Sequence, residues 1–484
     1  MSVDLGICIA VFAGLFFMAV AAGISGTSIS ASHGRRELTN RRIVVLGLFT
    51  SFSGICLMAL GAWLAQEDSR YDVWEILGIL LLTLAGAGLL AAGLAPLPPW
   101  LVEIIGPYAE RLPPPVRLAV RDLGRRRAGA ALAVPTAMTA TAFGLALTVV
   151  AVGLTAQSKA EYRPSARPGT LLVRAGSAAE AATVRATIAR ELPGVPIAQR
   201  ETVADSSRLF GVEAADVEAS EKAFYGEAIG DENLLRYLTG DRSTPYDEGT
   251  AVVVTSADVK VDSVTLTYEI DKGDENTKTI PAIVAKPSDP HMETIFLPST
   301  IVRELGHQLQ PSELIVDPTL YRVTAEDQRR LDDRLDDAVA EMYVERGFEA
   351  PLGWLPVAAA AFLIAVFCAL TSGFGPDANA RQARVMRRAG DDFRWFCASR
   401  ASLSALCATV LGAVVGCPAG MFLLWPLTIS GSWEEPVRPP FETPWPAITA
   451  VVVGLPLLAA AVAAIFAREH PHVLGPRPLT TAGR

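Results

Sequence analysis

The chain has 484 residues, 51% of them apolar and only 19% charged, with a formal net charge of −9 and a mean hydropathy of +0.33. Soluble domains carry about 25% charged residues, and the apolar residues here come in blocks of roughly twenty, the length that crosses a bilayer. Composition therefore excludes an ordinary cytosolic enzyme and excludes disorder, and it reads as a polytopic α-helical membrane protein carrying one large α+β domain.

The charge is unevenly placed. Residues 155–350 hold 21 Lys+Arg against 35 Asp+Glu, while the remainder holds 21 against 16. An acidic block of this kind does not neutralise phosphates, so no nucleic acid is expected as a partner.

In chain order, residues 1–96 contain three apolar spans at 5–24, 43–65 and 76–95. Residues 97–129 form a basic loop with an amphipathic elbow, followed by a fourth span at 130–154. The polar domain takes 155–350, and a fifth span lies at 352–374 within a segment 351–374. A second basic loop, 375–401, leads to two closing spans at 402–424 and 445–467, and residues 468–484 are a tail. Basic residues resist translocation. Segments 97–127 and 375–400 each hold six arginines against three acids, and Arg35, Arg36, Arg41 and Arg42 crowd the segment after the first span. Alternate connections carry Glu67, Asp68, Asp72 and Glu75, or Glu434, Glu435 and Glu442. The expected topology is N-terminus out, C-terminus in, with the large domain outside. Residues 1–24 lack the basic n-region of a cleaved leader, since Asp4 is the only charge before the apolar run. The six cysteines, Cys8, Cys56, Cys368, Cys397, Cys407 and Cys417, all lie outside the polar domain and form no CxxC pair, so neither disulfides nor a metal site is expected.

The polar domain opens with a strand at 170–174, a capping box at Ser177–Glu180, a helix to Leu192 and a strand at 195–198. It closes on the same plan: a strand at 313–317, a capping box at Thr324–Asp327, and a helix to Tyr343 with the stripe Leu331, Leu335, Val339 and Met342. Between them, 251–255, 261–270 and 279–285 read as strands, with 271–276 as a turn. The expectation is a β-rich insert between two strand–helix–strand units.

Catalytic constellations are not legible. No two of His33, His291, His307, His470 and His472 have metalloprotease spacing, and His470 and His472 read as a solvated tail. Asp332, Asp333, Asp336 and Asp337 lack the alternating spacing of a calcium loop and read as a solvated helix face. No GxxxxGK[ST] loop occurs, so the chain does not cradle ATP phosphates itself. Gly86 and Gly88 lie inside a span, where glycines permit close helix packing. Pro135, Pro418 and Pro456 also fall within spans, where proline is tolerated.

The basic loops carry more information. Val116, Ala119, Val120 and Leu123 share a helix face beside Arg117, Arg121 and Arg125, as in an elbow helix lying at the lipid headgroups. From Asn379 the chain reads Asn-Ala-Arg-Gln-Ala-Arg-Val-Met-Arg-Arg-Ala-Gly. A short helix is expected to stop at Gly390, with a second starting at Asp391 or Asp392 and running into the next span. A short helix between two spans is a shape that docks into a partner's groove.

Residues 381–400 resemble the loop of FtsX-like (MacB-type) ABC-transporter permeases, with Arg381, Arg384, Val385, Met386, Arg387, Arg388, Ala389 and Gly390 on its frame. Residues 117–127 resemble that family's elbow, and Ile229-Gly-Asp-Glu-Asn-Leu-Leu-Arg-Tyr-Leu-Thr-Gly240 resembles a segment of its outer domain. The order of elbow, span, large outer domain and three closing spans is similar over about 111–467. The acidic residue of the family loop is replaced here by Gln382 or Ala383. Relative to long members, the chain reads as a short form lacking the first span and first outer domain, with residues 1–96 the remnant of a first permease unit.

The resemblance implies a non-enzymatic permease in a bacterial plasma membrane, with its large domain extracytoplasmic. It implies no cofactor in this chain; ATP and Mg act through a separate ABC ATPase subunit. That subunit would dock on Arg381, Arg384, Val385, Met386, Arg387, Arg388, Ala389 and Gly390, with Arg117, Arg121 and Arg125 anchoring the elbow. Further implied partners are a second permease copy or homologue, membrane lipid, and an extracytoplasmic protein or peptide. The cargo expected is a lipoprotein, peptide or drug. The alternative reading is a membrane scaffold or sensor that regulates a cell-envelope enzyme without transport.

Overall fold

The computed structural model describes residues 38–65, 73–97, 113, 116–120, 127–205, 209–214, 226–270, 273–335, 341–374, 391–428, 438 and 440–469. In chain order the elements begin α1 (Leu38–Leu64), α2 (Val73–Leu94), α3 (Arg127–Glu161), β1 (Leu171–Arg174), α4 (Ala178–Glu191), β2 (Ile197–Val203) and β3 (Phe210–Ala214). There follow β4 (Glu227–Gly230), α5 (Glu232–Thr239), β5 (Ala251–Val254), β6 (Ser263–Glu269), β7 (Glu275–Ala285) and β8 (Thr294–Pro298). The rest are α6 (Ser299–Glu304), β9 (Leu309–Val316), α7 (Ala325–Leu335), β10 (Glu341–Val344), α8 (Leu355–Phe374), α9 (Asp391–Leu427) and α10 (Trp445–Glu469). The chain divides into a helical unit, residues 1–161 with 350–484, and a sheet domain, Tyr162–Glu349.

In the helical unit, five helices are long and apolar enough to cross a membrane: Val44–Leu64, Trp74–Leu94, Ala133–Glu161, Arg394–Leu427 and Trp445–Ala467. Leu355–Thr371 is a shorter apolar helix, on the span expected at 352–374. The span expected at 5–24 lies outside the described residues. The protein is thus a polytopic membrane protein with an α+β domain.

Glycine sets the helix contacts. A Cβ on Gly47 would come 2.6 Å from the Gly93 carbonyl, and one on Gly54 within 2.5 Å of the Gly86 carbonyl. A Cβ on Gly61 would run into the Thr83 hydroxyl. The α1 glycines recur every seven residues while their α2 partners descend in number, so the two helices form an antiparallel hairpin with backbones nearly touching. The expectation for Gly86 holds.

The sheet domain is built on one ten-stranded sheet in the order β10-β1-β9-β2-β4-β8-β5-β7-β6-β3. Its first four strands are antiparallel to their neighbours, with α4 joining β1 to β2 and α7 joining β9 to β10. The two strand–helix–strand units are therefore interleaved, each placing a strand between the two of the other, which is the split βαβ arrangement of a ferredoxin-like fold. Leu171, Val173, Val316 and Leu314 face Val184 and Ile188 of α4 and Leu331 and Leu335 of α7 in one core. Leu172, Ala198 and Ile315, on the opposite face, meet Leu234, Leu235 and Leu238 of α5. Both faces of these strands are buried, which accounts for their unbroken apolar runs.

Ser177 accepts from the Glu180 amide at 3.3 Å, and the Glu180 carboxylate reaches Gly176 N–H at 2.8 Å. Thr324 and Asp327 form a reciprocal box: Asp327 N–H donates to Thr324 Oγ1 at 3.1 Å and Thr324 N–H to the Asp327 carboxylate at 3.0 Å. The helix expected to run to Tyr343 is described only to Leu335, and Glu341–Val344 is a strand, with Met342 opposite Val173. Of the expected stripe, Leu331 and Leu335 are buried on the helix, Val339 lies outside the described residues and Met342 is in the strand, where Tyr343 and Val344 alternate exposed and buried, the strand period.

Candidate coupling site

The residues singled out for docking, Arg381, Arg384, Val385, Met386, Arg387, Arg388, Ala389 and Gly390, lie outside the described residues, as do Arg121 and Arg125. Arg117 is half-buried in a helical stretch at 116–120, beside buried Ala119 and Val120, and its amide donates to the Pro113 carbonyl at 3.1 Å. On the far side of the loop, α9 is described from Asp391 onwards, and the helix stop expected at Gly390 lies outside the described residues.

That helix is a long rod. With 37 residues it is about 55 Å long at 1.5 Å per residue, well beyond a ~30 Å hydrocarbon core. Its neighbour α3 has 35 residues. A Cβ on Gly412 would lie 2.9 Å from the Met138 carbonyl, one on Gly416 2.9 Å from Ala142 Cα, and one on Gly420 2.9 Å from the Ala146 carbonyl. Partner numbers rise together, so α3 and α9 run parallel along a Gly-xxx-Gly-xxx-Gly seam. Near its start, α9 meets the ends of its other neighbours. Ser404 Oγ donates to the Ala369 carbonyl of α8 at 3.4 Å, and Arg394 Nε to the Ala464 carbonyl of α10 at 3.4 Å.

The chain enters the sheet domain directly from α3 and leaves it towards α8. Within the domain, the incoming segment (162–170) and the outgoing segment (344–349) are fastened to each other. Glu345, 1% exposed, accepts from Tyr162 O–H, from Ser165 N–H at 3.1 Å, from Gly347 N–H at 2.8 Å and from Tyr343 O–H at 3.3 Å. Its own backbone pairs with the incoming segment: Gly169 N–H donates to the Glu345 carbonyl at 2.6 Å, and Glu345 N–H to the Thr170 carbonyl at 2.9 Å. The Tyr162 and Phe348 rings meet edge to face at 5.8 Å. Gly347 makes the turn at φ 83°, a conformation open to glycine. Burial, and then the Glu345 carboxylate, push the Tyr162 phenol up, so its proton stays in place as a donor. The donors supply what water would give a buried carboxylate, whose isolation would be costly.

The incoming segment is also held to the body of the domain by the segment Ile229–Gly240. Asp231 caps α5 by accepting from Leu234 N–H at 3.1 Å, and Gly240 closes it in the left-handed conformation at φ 66°. Tyr237, 1% exposed, offers its hydroxyl to Arg167 N–H and Thr170 Oγ1, each at 3.2 Å. The Arg167 guanidinium lies 4.5 Å over the Tyr237 ring and 3.0 Å from the Asp317 carboxylate. Sequence reasoning marked this segment without assigning Tyr237 a role, and it missed Tyr162, Arg167, Asp317 and Glu345 altogether. These partners lie up to 183 residues apart, and no local pattern announces them.

Among the described residues no group of His, Cys, Asp and Glu is placed to hold a metal ion. In comparison with known families, residues 355–471 match the FtsX-like permease C-terminal domain. That region comprises α8, the basic loop, α9 and α10. No curated protein matches the chain.

Proposed function

We propose that this FtsX-like permease is the membrane subunit of an ABC transporter, coupling ATP hydrolysis by a separate ATPase to movement of the sheet domain on the extracytoplasmic side. The observation that carries the reading is the family domain at 355–471, which encloses the basic loop between α8 and α9. Members of that family work with an ABC ATPase. The ATPase docks on Arg381, Arg384, Val385, Met386, Arg387, Arg388, Ala389 and Gly390, and ATP and Mg belong to that subunit. The long parallel rods α3 and α9 support transmission from the loop, since closely seated helices move as rigid bodies. The work done is export or extraction of a lipoprotein, peptide or drug.

The test is co-expression of the ATPase encoded nearest this gene with the full chain and with a Met386→Glu, Gly390→Trp variant. The wild type should retain the ATPase through membrane purification, and the variant should lose it or hydrolyse ATP without responding to the permease. An ATPase that never associates with the wild type would sink the proposal and leave the scaffold reading.

A further inference from the structure

The fastening of the two segments that join the sheet domain to the membrane helices stands on geometry that coupling alone does not require. Two independently mobile connections would also link a domain to two helices. Here one buried carboxylate receives donors from both segments, and two main-chain hydrogen bonds staple Glu345 to residues 169 and 170. The incoming segment is in turn fixed to the domain by Tyr237 and by the Arg167–Asp317 pair. We infer that Glu345 is a positioning residue, the bolt that makes the incoming and outgoing segments a single joint, so that α3 and α8 drive the sheet domain as a pair. The chemistry is specific to a carboxylate. Backbone amides of Ser165 and Gly347 and the phenols of Tyr162 and Tyr343 all donate, so a group with no proton of its own satisfies every one. An amide at the same place turns one N–H2 against donors. The inference deepens the coupling reading, resting on it only for what moves the helices.

The first measurement is hydrogen exchange on the full chain in nanodiscs, comparing wild type with Glu345→Gln and Tyr162→Phe. In Glu345→Gln, amides of both segments, 162–170 and 344–349, should exchange faster together by about tenfold or more, the size expected from buried donors left unsatisfied. The amides of α5 and β9 should keep wild-type rates, which reports an intact domain. Tyr162→Phe removes one donor and should give a smaller acceleration of the same two segments. If only one segment loosens, or neither does, Glu345 does not join them and the inference fails. The second measurement repeats the exchange with the co-purified ATPase, before and after trapping with ATP and vanadate. The wild-type sheet domain should change its exchange on trapping, and Glu345→Gln should keep the ATPase bound while the change in the domain shrinks severalfold. A full response in Glu345→Gln would overturn the inference. If no ATPase binds the wild type, the coupling reading fails on that ground, while the first measurement still decides whether the joint exists.

Discussion

The helical unit and the sheet domain are held together by opposite kinds of residue. In the sheet domain the core around α4 and α7 is Leu, Ile and Val, with no alanine among its fully buried members. In the helical unit one buried cluster consists of Ala369, Ala401, Ala405, Ala459 and Ala463 alone, and glycines line the α1–α2 and α3–α9 seams. Large side chains there point outwards, with Phe49, Phe52, Phe367 and Leu457 all more than 60% exposed. Water explains the first pattern: burying bulky apolar groups drives folding. Lipid explains the second, because it solvates Leu as well as a helix does, leaving close backbone approach and dispersion to hold helices together.

The comparison breaks most sharply at Gly416. Gly416→Leu forces a side chain into Ala142 of α3, and the expected loss is about 3 kcal/mol or more, read as aggregation or a lowered thermal midpoint in detergent. Gly454, on α10, has nothing within 4 Å of a built Cβ, so Gly454→Leu should change that midpoint little, by less than about 0.5 kcal/mol. Equal effects at the two glycines would discard the seam. In the sheet domain the matching experiment removes bulk. Leu314, fully buried, should cost about 3 kcal/mol on Leu314→Ala, measured as exchange protection of β9.

Smaller effects sharpen the polar side of the comparison. Tyr237→Phe leaves Arg167 N–H without its acceptor and the Thr170 hydroxyl without its partner and should cost about 1–2 kcal/mol, with faster exchange confined to 162–170. Asp327 should be worth about 1–2 kcal/mol in Asp327→Asn. The Thr324 amide and hydroxyl, followed by Tyr321 and Arg330, outweigh burial and hold its carboxyl down to about 2. A carboxyl depressed in the folded state stabilises above its unfolded pKa and loses that contribution as pH falls through the folded value. Wild-type sheet-domain stability should therefore decline from about pH 4 towards pH 2, and Asp327→Asn should flatten that decline. An unchanged profile in the variant would remove the capping box from the account.

The sequence carried much of this. Apolar block length identified the membrane helices from α1 onwards, because spanning demands length whatever the neighbours do. The two capping boxes were legible because they are satisfied within four residues. The β-rich insert was legible from its alternating runs. The basic loop lies within the segment 355–471 that matches the FtsX-like permease C-terminal domain.

Contacts across distance were decided only by the tertiary structure. Periodicity over so few residues does not separate helix from strand at 341–344, and pairing with β1 makes it a strand. Interleaving of the two strand–helix–strand units depends on which strands meet, and alternation within each strand is silent about that. Glu345 illustrates the same limit. In the chain it is one acid among 51 Asp and Glu, and it becomes a joint only when folding buries it between two segments that carry its donors.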